Sequence, residues 1–276
     1  MFDRIPWPSA GRARGRAGRR RVAGWGVAFL VLTAPVSAAD RAVAVTTQPD
    51  LAPGLAAMPQ IEAPADDAER RLNTALKRLD GKVRTAAKQC KAEGGVHSSW
   101  ERGVQVPMRG PRFLSLVIND NWFCGGAHPD TATMSIVYDL TTGAPVDWTT
   151  LLPPALTGTI ALADGADGTK MVTLASKMLH TLYLAGYRPK SGDPKRDGDD
   201  ADCRRAVTET NDGEPPAMMA WLDAGAGGLA VQFDLAHVVQ ACADPVVIPS
   251  PRCAGMAPSL VLTGAIEAAR AAKPVR

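Results

Sequence analysis

The sequence has few aromatic residues and few histidines, and after residue 38 it has no long hydrophobic run. Phe, Trp and Tyr make up 5% of the 276 residues, and the four histidines are scattered. The spacings of zinc sites, nucleophile elbows and phosphate-binding loops do not occur. We therefore expect no metal and no cofactor. Without a second apolar run, we also expect no membrane span in the rest of the chain.

The amino terminus has the three-part pattern of an export signal. Six arginines between positions 12 and 21 precede an apolar stretch from Val22 to Ala34, and small residues follow around Ala38. The apolar stretch is shorter than the roughly 20 residues that a bilayer span needs. This favours a cleaved signal peptide at residues 1–38, with a retained anchor as the alternative. General and twin-arginine export both stay open, and we predict a periplasmic or secreted protein.

Removal of this segment reverses the sign of the net charge. Residues 1–38 hold seven arginines and one aspartate, a net +6, whereas the whole chain carries +3, so the remainder carries about −3. No continuous basic stretch remains to neutralise phosphates. We therefore predict no nucleic-acid partner.

All five cysteines lie after the predicted signal. In an oxidising compartment this number predicts two disulfides and one remaining thiol, although spacing alone does not fix the connectivity. The pairing that we predict is Cys90 with Cys124 and Cys203 with Cys242, which leaves Cys253.

Periodicity predicts one domain at residues 66–272, after a flexible linker at residues 39–65 that is rich in Ala, Pro and Thr. Apolar residues three and four apart predict a helix from Leu72 to Cys90 and a second from Met171 to Leu182. Strands are predicted at 113–118, 134–140, 218–222, 229–234 and 246–248, a loop at 190–216 and a closing helix at 259–272. Clustered strands favour an α+β fold, a mostly antiparallel sheet packed with two or three helices.

One stretch resembles the signature of a known extracellular domain. Gly125-Gly126-Ala127-His128 precedes a strand candidate that ends in Asp139-Leu140-Thr141-Thr142-Gly143, and Leu151-Leu152 follows. The chain resembles the domain of unknown function typified by the outer part of RsiV-like, lysozyme-sensing anti-sigma factors, which is also found beside polysaccharide deacetylases. The resemblance spans about residues 72–248. It implies an α+β domain outside the cytoplasm and a lysozyme-like protein as one partner, and it implies no catalysis.

Two groups of residues are candidates for function. His128 follows two glycines and precedes Asp130 by two positions, so an imidazole and a carboxylate lie close in sequence. Hydrogen bonding of His128 within its own loop is the alternative. Trp122, Tyr138 and Trp148 are candidates for an aromatic binding face, or for packing on a sheet.

We therefore predict a non-enzymatic binding domain for a lysozyme-like protein or a cell-wall glycan such as peptidoglycan. An envelope hydrolase that uses His128 and Asp130 is the alternative. The predicted binding residues are Trp122, Gly125, Gly126, His128, Asp130 and Tyr138.

Overall fold

The apolar spacing from Leu72 to Cys90 forms a 28-residue helix, α1 (Asp67–Gly94). The computed structural model describes residues 42–188, 197–208, 213–233, 235, 237–250 and 260–271. The predicted signal peptide and Cys253 lie outside these residues. At the start of α1 the Asp66 carboxylate accepts a hydrogen bond from Glu69 N, and the Glu69 carboxylate accepts one from Ala65 N. These two hydrogen bonds resemble a capping box, except that Glu69 bonds the residue before the N-cap, and they fix where the helix begins.

The described part of the predicted linker, residues 42–65, is packed on the domain, so the prediction of a flexible linker is wrong there. It holds two short antiparallel strands, β1 (Val45–Thr46) and β2 (Gln60–Ile61). Met58 is fully buried, and its N–H donates to the buried carboxylate of Asp80 on α1. Single apolar residues without periodicity thus anchor the segment, a pattern that composition does not reveal.

The first large sheet is an antiparallel meander that follows chain order. It contains β3 (Ser99–Arg109), β4 (Phe113–Phe123), β5 (Asp130–Asp139) and the short β6 (Ala144–Pro145). β4 is buried along most of its length. The strands predicted at 113–118 and 134–140 are the inner parts of β4 and β5.

The second large sheet is also antiparallel and has the order β11-β10-β9-β8-β7. Its strands are β7 (Thr159–Asp164), β8 (Lys170–Ala175), β9 (Met218–Asp223), β10 (Gly228–Phe233) and β11 (Val246–Pro249). The remaining helices are α2 (Trp148–Leu151), α3 (Pro154–Thr157), α4 (Lys177–Gly186), α5 (Asp197–Thr208) and α6 (Leu260–Ala271), with 3-10 turns at Gly95–His97 and His237–Cys242.

The two sheets are joined where one edge of β9 lies against the face of the first sheet. β9 pairs with β8 only at Met218. The N–H and C=O groups of the later β9 residues that point towards β8 therefore need other hydrogen-bond partners. Leu222 N donates to the Ser115 hydroxyl of β4, and the Ser135 hydroxyl of β5 donates to Ala220 O, both at 3.1 Å. Because the side chains of Ser115 and Ser135 are small, the backbone of β9 lies close to the face of the first sheet.

Two local predictions are wrong. Met171 and Leu174 belong to strand β8, and the helix that follows begins only at Lys177, where the Ser176 hydroxyl caps it by accepting from Leu179 N. Val172 and Thr173, which lie between Met171 and Leu174, are β-branched, and this favours a strand over the helix that the spacing predicts. The second error is that the predicted 190–216 loop contains α5.

These elements form the predicted α+β fold, with two large antiparallel sheets and the small β1–β2 pair rather than one sheet. Their core is one continuous apolar cluster that includes α1, both large sheets and α4. In the described ranges, no helix is long and apolar enough to cross a membrane.

Candidate functional site

The predicted binding loop connects β4 to β5 and occupies residues 124–129. Its residues from 125 to 129 are all exposed. Gly125 and Gly126 have φ angles of +91° and +102°. Glycine adopts this region without the penalty that a Cβ brings. The two glycines therefore make the turn that presents His128.

The base of this loop is fixed to the end of α1. Cys90 of α1 forms the predicted disulfide with Cys124, and the second predicted disulfide, Cys203–Cys242, is also present. A Cβ added to Gly94 would lie 2.6 Å from the carbonyl carbon of Cys124. The last turn of α1 and the first residue of the loop are thus in direct contact.

Trp122 lies on the strand end that enters the loop and is half-buried. It pairs across the sheet with Trp100, and the two rings stack with centroids 5.4 Å apart and planes at 21°. Trp100 Nε1 donates a 2.9 Å hydrogen bond to Asp120 Oδ1. One face of Trp122 is therefore covered by a ring that is itself held in place.

His128 and Asp130 lie at the far side of the loop. His128 is exposed, with Nδ1 3.0 Å from Pro129 O, and Asp130 is the first residue of β5. The Asp130 carboxylate accepts a 2.8 Å hydrogen bond from Thr131 N. The structure thus brings Trp122, the two glycines, His128 and Asp130 together in one loop and its strand ends.

Tyr138 is not part of this loop surface, and a binding role for it stays a prediction. It lies eight residues along β5 from Asp130, a distance of about 26 Å along an extended strand. Tyr138 is 3% exposed, and its burial raises the pKa of the phenol to about 12. Trp148 is buried as well. Both side chains are therefore part of the interior of the domain.

A buried ion cluster below the loop was not predicted from the sequence. The Arg102 guanidinium donates to both carboxylate oxygens of Asp120, at 2.7 and 2.6 Å, and to Asp167 at 2.9 Å. The three side chains are at most 3% exposed. Burial alone would lower the pKa of Arg102, but the two carboxylates raise it above its ordinary value. Arg102 and Asp120 lie directly opposite on β3 and β4, whereas Asp167 comes from the β7–β8 turn.

The described residues contain no cluster of three or more His, Cys, Asp and Glu side chains that could hold a metal ion. The ion cluster contains one guanidinium shared by two carboxylates, so its formal charge is −1. We assign it a structural role at the base of the loop.

Comparison with known proteins finds similarity among solved structures. No protein-family profile and no curated protein matches the sequence. Among solved structures, the chain is similar to the crystal structure of a member of the DUF3298 family from Bacteroides fragilis. The two are 17% identical, with a TM-score of 0.40, over 72% of this chain and 68% of that chain. The similarity is to a domain of unknown function, and it names neither a ligand nor a reaction.

Proposed function

We propose that this chain is a non-enzymatic, extracytoplasmic binding domain whose 124–129 loop contacts a protein ligand. The observation that carries the proposal is an exposed loop whose base is fixed by a disulfide and by close packing on α1. Two disulfides are typical of proteins in oxidising compartments, which supports a periplasmic or secreted setting.

Preorganisation is the physical reason for this proposal. Ordering a flexible loop during binding costs about 0.5–1.5 kcal/mol for each immobilised side chain. Here the strand pairing, the Trp100–Trp122 stack and the Cys90–Cys124 disulfide already order the loop's ends. Contacts made by the loop tip therefore contribute to affinity with little entropic loss.

The shape of the site favours a protein ligand over a glycan. A loop at the end of a hairpin is suited to insertion into a concave surface, as long antibody loops are. Glycan recognition would use a flat, open aromatic face, whereas Trp122 is half-buried and stacked on Trp100. The resemblance to the lysozyme-sensing family makes lysozyme, an enzyme with an open cleft, the first ligand to test.

Two glycine variants test the loop. Gly126 and Gly168 both have positive φ, and a Cβ at either would meet no atom within 4 Å. Alanine costs about 1–2 kcal/mol of local strain at the φ of +72° at Gly168, and more at the φ of +102° at Gly126, which lies outside the left-handed helical region. We expect Gly126→Ala to weaken binding to immobilised lysozyme at least tenfold and Gly168→Ala to change it less than twofold.

Equal effects of the two variants would contradict the loop assignment. Binding of soluble peptidoglycan fragments without lysozyme binding would replace the protein ligand by a glycan. If neither probe binds the unaltered chain, this proposal fails. Peptidoglycan hydrolysis that disappears in His128→Ala would support the hydrolase alternative instead.

A further inference from the structure

A partly enclosed apolar cavity of about 280 Å³ lies between the two large sheets, away from the loop. The cavity exists because two of the strand pairs that border it are short. β6 pairs with only two residues of β5, and β8 pairs with β9 only through Leu174. The larger apolar side chains in its wall include Leu79, Ile136, Tyr138, Trp148, Leu162 and Met171.

One hydroxyl in the cavity wall lacks a hydrogen-bond partner in the described part of the chain. It is the buried hydroxyl of Thr169. Buried polar groups are usually hydrogen-bonded, so the cavity wall contains one hydrogen-bonding group that the described residues do not use.

The rim of the cavity combines an exposed apolar side chain with a cation. Leu162 is 65% exposed, although it is a large hydrophobic residue. The β7–β8 register pairs Asp164 with Lys170, and Leu162 lies two residues from Asp164, so these side chains share one face of the hairpin. Leu162 and Lys170 both line the cavity.

We propose that this cavity binds the hydrocarbon chain of a short saturated fatty acid, with the carboxylate held at the rim by Lys170. The apolar wall and the exposed Leu162 favour a hydrocarbon chain. The volume is just below the roughly 300–1,000 Å³ of most ligand pockets, so the ligand must be small.

Lys170 is available to a carboxylate because its present ion pair is weak. Its ammonium lies 2.6 Å from the Asp164 carboxylate, but the two side chains are 58% and 57% exposed. Exposed pairs of this kind contribute about 0–1 kcal/mol. A ligand carboxylate can therefore replace Asp164 at little cost.

Titration of the full chain with saturated fatty acids of six to sixteen carbons, kept below their micelle concentrations, tests the proposal. We expect saturable binding with an affinity maximum at one of the shorter chains. Lys170→Gln should weaken octanoate binding roughly fivefold, the factor that corresponds to about 1 kcal/mol, and should leave octanol binding unchanged. Because Lys170 is exposed, this variant is expected to fold normally.

Val172→Phe places a larger side chain in the same wall and should abolish binding of both ligands. If that variant does not fold, the chain-length series and Lys170→Gln still decide the question. The proposal is overturned if no fatty acid binds saturably, if affinity only rises with chain length, or if Lys170→Gln affects octanoate and octanol equally.

Discussion

Replacing Arg102 by methionine should destabilise the domain by about 3–5 kcal/mol, because it leaves two buried carboxylates without their shared cation. The Arg102 side chain is 0% exposed, Asp120 is 3% exposed and Asp167 is 0% exposed. Methionine keeps a long, flexible side chain in the space, so most of the expected loss is electrostatic. Total stabilities of domains are only about 5–15 kcal/mol, which makes this a large fraction.

Urea denaturation of the oxidised protein, followed by tryptophan fluorescence, measures the effect. Arg109→Met is the matched control, since Arg109 is exposed on the same strand, β3. We expect the control to change the unfolding free energy by less than about 0.5 kcal/mol. A loss below about 1 kcal/mol in Arg102→Met would refute the assignment of Arg102 as the cation that stabilises this cluster.

Three further predictions concern burial, the disulfide and the helix end. Burial raises the pKa of Tyr138 to about 12, whereas the phenol of the unfolded chain ionises near pH 10. Ionisation of Tyr138 therefore lowers the unfolding free energy as pH rises from 10 to 12, by about 2 kcal/mol at pH 12. Tyr138→Phe should remove this part of the pH dependence in urea titrations at alkaline pH. Cys90→Ser with Cys124→Ser should cost about 3–4 kcal/mol of unfolding free energy, since the disulfide closes 34 residues, and an unchanged midpoint would contradict this. Gly94→Ala should destabilise by more than about 1 kcal/mol through its clash with Cys124, whereas Gly81→Ala in the same helix, with open space around it, should stabilise by about 0.5–1 kcal/mol in thermal melts.

The helix α1 and strands β4 and β5 were predictable because their apolar patterns are long. Residues from Leu72 to Cys90 repeat at three and four, and Asp66 and Glu69 form a cap that is readable in the sequence. The predicted disulfides were also correct. A regular apolar pattern of this length predicts a helix or strand even where single residues deviate from it. A capping residue adds a signal for where a helix begins.

The errors occur where the pattern is short or absent. Met58 and Val43 are single buried residues in a segment without periodicity, so nothing in the sequence distinguishes them from a linker. Met171 and Leu174 are three residues apart, a spacing that fits a helix. In the structure both residues pair with β7 and are therefore part of a strand. Their register with β7 decides the structure, and that register depends on tertiary contacts that the sequence does not display.

The loop was predictable from the sequence because Gly125, Gly126 and His128 are adjacent in the chain. The ion cluster and the cavity were not, because each is assembled from distant segments. Asp167 lies 65 residues after Arg102. The cavity likewise combines α1, β5 and the β7–β8 hairpin. Interactions of this kind depend on how the two sheets meet.

Three separate interactions stabilise the end of the β3–β4 pair that lies next to the loop. They are the Arg102–Asp120 ion pair, the Trp100–Trp122 stack and the Cys90–Cys124 disulfide. Hairpin ends and loops usually belong to the least stable parts of a protein. The connection between β4 and β5 needs only a turn, which two glycines already provide. Because these links stabilise this end of the domain and also fix the position of the loop, they are consistent with the binding role proposed for the loop. Loss of binding in Gly126→Ala without loss of these links would separate the two functions of this end of the molecule.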